Sequence, residues 1–149
     1  MPEQKQTSPK NETPEEIVAG LVPIPQKDVV LMLEAGYLSM EFGKTTQAEE
    51  IFQGVAALLP HSEVPHMALG HLYFSQGHFA PALKAHQHAL EVNPNSAAAQ
   101  AAVGEVLFFL KRPKDAMTAL DQAIALEPVS PASDFAKALK EAYGAGVFG

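Results

Sequence analysis

The sequence predicts an all-α fold in which three helical hairpins stack into a solenoid, with a short helix before them and a capping helix after them. Glycine, alanine and proline each recur at a spacing of 34 residues, for example from 36 to 70 and from 70 to 104. The recurring positions are Gly36, Gly70 and Gly104, Ala48, Ala82 and Ala116, and Pro60, Pro94 and Pro128. Such a period, read as helix–turn–helix, is typical of helical repeat arrays.

Each recurring residue has a physical role in this arrangement. A glycine inside a helix costs about 1 kcal/mol relative to alanine, so its repetition predicts that a neighbouring helix passes too close for a side chain. Each proline closes a second helix, because it lacks a backbone donor and clashes with the preceding turn. Gly43 and Gly77 fall between the helices of a hairpin, where glycine ends helices. In the third hairpin Lys111 and Arg112 precede Pro113, which predicts a second helix that starts at the proline.

The order of these patterns divides the chain. The parts are a disordered tail (1–12), a short N-terminal helix with its linker (13–25), a repeat domain (26–143) and a flexible, glycine-rich tail (144–149). The repeat domain is predicted to hold hairpins over about 29–62, 63–96 and 97–130 and a capping helix over 131–143.

Polar residues mark several predicted helix starts. Thr13, Pro14 and Glu16 match a capping box with a proline in the first turn, and Asn95 and Ser130 are predicted helix caps. Two roles are open for the N-terminal helix, covering the end of the array or pairing two copies into a homodimer. Covering is favoured because the ends of a solenoid must hide their apolar faces.

The sequence resembles the tetratricopeptide repeat family over residues 26–143, on the recurring glycine, alanine and proline positions. The aromatic positions of the family are partly kept. Phe52 and Tyr73 match, whereas Ser39, His86, Leu107 and Leu120 depart from the pattern. The resemblance implies a solenoid whose concave surface, lined by the first helix of each hairpin, binds proteins.

Aligning the three copies by their glycines predicts the side chains of that concave surface. They are Val30, Leu33, Tyr37 and Met40 in the first copy, Val64, Met67, His71 and Phe74 in the second, and Ala98, Ala101, Glu105 and Phe108 in the third. Most are apolar, which favours a groove for an apolar or amphipathic segment of a protein or peptide client. The alternative is that some of them belong to the core, packed under neighbouring helices or under the N-terminal helix.

One function of the resembled family is not supported by these positions. Family members that hold the acidic carboxyl-terminal tail of heat-shock proteins use lysine with asparagine or arginine on the inner faces. The corresponding positions here are Leu33, Tyr37, Met67 and His71. The sequence therefore predicts that an acidic tail is not the client.

A narrower resemblance is to the small tetratricopeptide repeat chaperones of bacterial type III secretion. It rests on a small acidic chain with a short N-terminal helix, three repeats and one closing helix, and on the segments 33–52 and 69–90. It implies a cytoplasmic chaperone that holds a secreted or apparatus subunit before export, and many relatives form dimers. The alternative is a generic scaffold or adaptor subunit of a multiprotein complex.

Composition excludes several classes of partner. The net charge of −7 argues against a nucleic-acid backbone, because phosphate binding requires clustered lysine and arginine. No run of 18 apolar residues is present, which argues against membrane insertion. The polar N-terminal residues lack the apolar core of a secretory signal, and cysteine is absent. A cytoplasmic location is therefore expected.

The sequence carries no pattern of catalytic, metal-binding or cofactor-binding residues. No nucleophile elbow, phosphate-binding glycine loop or zinc-protease motif is present, so we expect no enzyme activity and no cofactor. Six histidines lie between His61 and His88. His66 and His71 are five residues apart and His86 and His88 two apart, spacings that do not bring ligands together on one helix face. Structural roles are favoured for these histidines.

Overall fold

The computed structural model describes residues 24–149, which form seven α-helices joined by short turns. The hairpins are α1 (Gln26–Glu41) with α2 (Thr45–Leu58), α3 (Val64–Ser75) with α4 (Phe79–Val92), and α5 (Ala97–Phe109) with α6 (Pro113–Leu126), followed by α7 (Pro131–Gly144). The predicted all-α array of three hairpins with a closing helix is confirmed. The predicted tail 1–12 and the N-terminal helix, up to residue 23, lie outside the described residues.

The recurring glycines mark the points where the two helices of each hairpin come closest. A Cβ atom added at Gly36, Gly70 or Gly104 would collide with a large side chain of the second helix of the same hairpin. The colliding side chains are those of Phe52, His86 and Leu120, respectively. The predicted close approach of a neighbouring helix is therefore confirmed, and any side chain at these glycines would force the hairpin apart.

The turn inside each hairpin needs one residue in the left-handed region. Gly43 and Gly77 take this conformation, with φ of 74° and 78°, and Lys111 takes it in the third hairpin with φ of 63°. A lysine in this region carries strain of about 1 kcal/mol that glycine does not. The second helix of the third hairpin begins at Pro113, as the sequence predicts.

Serine side chains cap two helices, and small buried residues lie where neighbouring hairpins pack. Ser130 caps α7 by accepting a hydrogen bond from the backbone nitrogen of Ser133 (3.1 Å). The prediction of Asn95 as a cap is wrong by one residue, since Ser96 accepts the bond from Ala99 (3.1 Å). Between units, α2 packs on α3, α4 on α5 and α6 on α7. The small residues Ala48, Ala82 and Ala116 are fully buried and let these helices approach.

Candidate functional site

The inner side of the solenoid is lined by the first helix of each hairpin, followed by α7, which takes the same place after the third hairpin. α1 contacts α3 directly, and α5 contacts α7. All of the residues predicted from the sequence to face a client lie on α1, α3 and α5. We call this face the concave surface, in the sense usual for helical repeat arrays.

The predicted client-facing residues differ in how far solvent reaches them. Val30, Tyr37 and Val64 are exposed, at 45%, 37% and 48%. The half-buried members are Leu33, Met40, Met67, His71, Phe74 and Glu105, and Ala98 is exposed. Ala101 and Phe108 are buried, at 1% and 2%, and belong to the core of the third hairpin. Apart from Ala98, the accessible apolar side chains of this set thus lie on α1 and α3, whereas Ala101 and Phe108 of α5 are buried.

Tyr37 and His71 occupy the same position in adjacent hairpins and contact each other. The Tyr37 hydroxyl lies 3.2 Å from Nδ1 of His71, at hydrogen-bonding distance. Each ring also meets, edge to face, the side chain that covers the glycine of its own hairpin. The ring centroids lie 5.0 Å apart for Tyr37 and Phe52 and 5.2 Å apart for His71 and His86. These contacts hold the two rings in place between α1 and α3.

Burial shifts the ionisable groups of the concave surface towards their neutral forms. It lowers the pKa of His71 from 6.5 and raises the pKa of Tyr37 above its ordinary value of 10.0. Glu105 takes the equivalent position on α5, and burial raises the pKa of its carboxyl. His71 is therefore uncharged at neutral pH, and Glu105 is a poorly solvated carboxylate beside apolar neighbours.

Six aromatic side chains form a continuous cluster at the end of the concave surface nearest the hairpin turns. We call it the aromatic cluster; its members are Phe74, Phe79, Phe108, Phe109, Tyr143 and Phe148. Neighbouring ring centroids lie between 4.6 and 5.5 Å apart. Phe109 and Tyr143 remain 40% and 39% exposed. Such spacings are those of stacked and edge-to-face aromatic pairs.

Sequence reasoning found only part of this cluster. Alignment of the repeats by their glycines places Phe74 and Phe108 on the inner face, but it includes neither Phe79 nor Phe109. The adjacent pair Phe108 and Phe109, at the end of an alanine-rich helix, is the signal that could have pointed there. No repeat position predicts Phe148, since it lies beyond the last helix.

The segment after α7 turns back onto α5, and we call residues 145–149 the tail segment. Phe148 stacks on Phe108 with centroids 4.6 Å apart and planes 11° apart, and meets Phe109 at 5.5 Å and 81°. Nζ of Lys111 donates to the backbone carbonyl of Phe148 (3.3 Å). A shallow cavity of about 370 Å³ remains beside these side chains, bordered also by Val147. That residues 144–149 are flexible stays a prediction.

The histidines form pairs within the second hairpin. The rings of His66 on α3 and His88 on α4 stack with centroids 4.1 Å apart. Burial, and then the proximity of His88, lower the pKa of His66. In residues 24–149 no three side chains of histidine, aspartate or glutamate converge as ligands of a metal ion. Over the same range, every helix is too short or too polar to cross a membrane.

A family model of the tetratricopeptide repeat matches the chain twice, over residues 39–104 and 74–140. Together the two matches cover more than half of the sequence. No curated protein sequence matches it significantly.

Solved structures with a similar fold include type III secretion chaperones. The translocator chaperone SycD of Yersinia enterocolitica aligns with a TM-score of 0.69 at 15% identity, over 79% of this chain and 92% of SycD. PcrH, in complex with the chaperone-binding region of PopB, aligns with a TM-score of 0.67 at 21% identity, over 80% of this chain and 96% of PcrH. The first tetratricopeptide repeat domain of Spaghetti, bound to an HSP90 peptide, gives 0.65 at 20% identity, over 81% and 97%.

Proposed function

The chain belongs to the tetratricopeptide repeat family, and we propose that it holds an apolar or amphipathic segment of a client protein on its concave surface. We further propose that it is a cytoplasmic chaperone of the kind that serves type III secretion. The observation that carries the proposal is the accessibility of apolar side chains on the first helices α1 and α3. Val30, Val64 and Tyr37 are the most exposed of those in the predicted client-facing set.

The chemistry of this surface supports an apolar ligand. Removing apolar area from water contributes roughly 25 cal/mol per Å², from which the entropy cost of association is subtracted. Met40 and Met67 add flexible side chains that adapt to different client shapes. Since His71 is uncharged at neutral pH and Glu105 is the only charged member of the predicted client-facing set, the affinity of the complex should depend weakly on salt concentration.

The proposed mechanism is occlusion. A client segment with an exposed apolar face associates with other copies of itself, and each contact with the concave surface removes that face from water. The chaperone thereby exchanges client self-association for a one-to-one complex. Two similar structures contain a client region, PopB with PcrH and a YopD peptide with SycD, which supports this mode of binding.

The same surface argues against an acidic tail as client. A carboxylate-rich peptide needs cationic side chains to offset the loss of its hydration. Leu33, Tyr37, Met67 and His71 stand where the resembled tail-binding domains place cations. We therefore propose a client different in chemistry from the HSP90 peptide held by the Spaghetti domain.

Client capture by variants of the concave surface tests the proposal. Tyr37→Glu and Val64→Glu place a carboxylate among the accessible apolar side chains, which should weaken client binding by about tenfold or more. Leu38→Glu is the matched control, because Leu38 is an exposed apolar residue (53%) of α1 outside the predicted client-facing set. The measurement is quantitative mass spectrometry of proteins that copurify from the cell lysate, followed by titration of the dominant client.

Two results of this experiment would overturn the proposal. Retention of the client by Tyr37→Glu and Val64→Glu would remove the concave surface from the binding site. Recovery of several large folded proteins, equally retained by all three variants, would instead support a scaffold or adaptor.

A further inference from the structure

We propose that Phe148 occupies a binding site for an aromatic residue of the client, and that the aromatic side chain of the client displaces it. The site consists of Phe108, Phe109 and Lys111. This inference rests on the proposed function, because it assigns one position of the client segment to one end of the concave surface.

The contacts of Phe148 show which ligand the site accepts. Its ring lies parallel to Phe108 at 4.6 Å, and the edge of Phe109 closes a second side at 5.5 Å. Its backbone carbonyl accepts a hydrogen bond from Lys111 (3.3 Å). An aromatic residue within any peptide presents the same two groups, a flat ring and a neighbouring carbonyl. The chain's own residue thus identifies the ligand class as an aromatic residue of a peptide.

The site is continuous with the concave surface. Phe109 lies 5.0 Å from Phe74 of α3, centroid to centroid, and Phe74 belongs to the predicted client-facing set. A segment that runs across α3 therefore reaches Phe109 without leaving apolar surface. Phe108, which the sequence placed among the client-facing residues, is buried because Phe148 and Tyr143 stack on it. Removal of Phe148 would uncover one face of the Phe108 ring.

The tail segment is attached weakly enough to be exchanged. It contains Gly146 and Gly149, both with positive φ, and ordering glycine costs more backbone entropy than ordering any other residue. The side chain of Val147 is 68% exposed, so it adds little apolar contact between the tail segment and the rest of the molecule. The ring of Phe148 and its carbonyl bond to Lys111 are the main attachments beyond the turn that follows α7.

Lys111 gives independent support for a binding role at this site. Its backbone has a φ of 63°, in a turn where the other two hairpins have glycine. A lysine tolerates this strain at a cost that glycine avoids. Its ammonium is the group that holds the Phe148 carbonyl, so the strained residue is also the one that contacts the occupant of the site.

The test uses the full chain with Phe148→Ala and a probe that carries one aromatic side chain between two amide groups, N-acetylphenylalaninamide. Binding is measured by NMR titration of the ring signals of Phe108 and Phe109. We expect roughly two- to tenfold tighter binding by Phe148→Ala than by the unaltered chain, because the competing ring is gone. N-acetylalaninamide should not bind to either protein. Phe42→Ala makes the same substitution in the first hairpin, at a phenylalanine that is 71% exposed and outside the site. It is the matched control and should behave like the unaltered chain.

The outcomes separate this inference from the proposed function. Equal or weaker probe binding by Phe148→Ala, with its thermal unfolding still cooperative, would overturn it. If the variant loses cooperative unfolding, loss of the contacts between Phe148 and Phe108 on addition of probe to the unaltered chain decides instead, and persistence of those contacts overturns the inference. The client experiment with Tyr37→Glu and Val64→Glu involves other residues, so a failure of this inference can be told apart from a failure of the proposed function.

Discussion

His86 stands at the position that Phe52 and Leu120 hold in the other hairpins, buried against Gly70. Its side chain is 1% exposed, and its Nδ1 has no hydrogen-bond partner among the described residues. Burial, and next the proximity of His71, lower the pKa of His86 to about 3. The imidazole is therefore held neutral as a packing group, in place of an aromatic or aliphatic side chain.

Acid should destabilise the second hairpin through His86. The folded-state pKa of about 3 lies below the unfolded value of 6.5, so protons bind preferentially to the unfolded chain. The contribution of neutral His86 to stability is full above pH 6.5 and is lost as the pH falls from 6.5 towards 3. His86→Leu should remove about 2 kcal/mol of the difference in unfolding free energy between pH 7 and pH 5. Denaturant unfolding at the two pH values measures it.

A variant of the first hairpin separates this effect from a general response to acid. Phe52 packs against Gly36 as His86 packs against Gly70, and Phe52→Leu removes no titratable group, so it should leave the difference between pH 7 and pH 5 in place. An unchanged pH dependence in His86→Leu would show that His86 titrates normally in the folded chain.

At the scale of elements, a hydrogen bond that no repeat position predicts joins the first two hairpins, in addition to the contact between Tyr37 and His71. The hydroxyl of Tyr73 on α3 donates to the carboxylate of Glu49 on α2 (2.6 Å). Burial and this carboxylate raise the pKa of Tyr73 to about 12. The bond helps to hold the first hairpin against the second, because its two residues lie on helices of different hairpins.

Removing the Tyr73 hydroxyl should weaken the packing of the first hairpin on the second and lower the stability of the protein. Tyr73→Phe keeps the ring and should lower the unfolding free energy by about 1 kcal/mol. This is below the range of about 1.5–3 kcal/mol for hydrogen bonds to charged groups, because the pair is partly exposed. Glu49→Gln keeps an acceptor oxygen and should cost less. Thermal unfolding of both variants provides the comparison. A larger loss in Glu49→Gln than in Tyr73→Phe would mean that Glu49 acts through another contact.

The helices themselves could be predicted well because their boundaries depend on local residues. Pro113, Gly43 and Gly77 act on the backbone within one turn, so their positions in the sequence are enough to predict where the adjacent helices begin or end. The bond between Tyr73 and Glu49 depends instead on how two hairpins stack, which the sequence period does not specify.

At the scale of the whole molecule, the three hairpins are not equivalent. Alignment by glycines treats them alike, and it therefore placed Ala101 and Phe108 on an accessible surface. The third hairpin is covered by α7 and by the tail segment, and both residues are buried there. The accessible part of the candidate site thus follows from the position of a hairpin in the array, which the repeat pattern cannot encode.

Glu105 gives the concave surface a charge whose effect on client binding can be predicted. Its half-buried carboxyl has a pKa raised by burial, and an apolar client segment would remove more of its water. Covering the charged form costs free energy, whereas covering an amide of the same shape costs less. Glu105→Gln should therefore bind the client more tightly at pH 7.5, by up to about tenfold.

The pH dependence of this effect identifies its cause. Because an apolar cover favours the protonated carboxyl, the difference in client affinity between the unaltered chain and Glu105→Gln should shrink as the pH falls from 7.5 to 5.5. His71 is present in both proteins, so its own titration cancels in the ratio of the two dissociation constants. Isothermal titration of the captured client segment at both pH values gives that ratio. Weaker binding by Glu105→Gln at pH 7.5 would instead mean that the client places a cation against Glu105, and that its segment is amphipathic at this point.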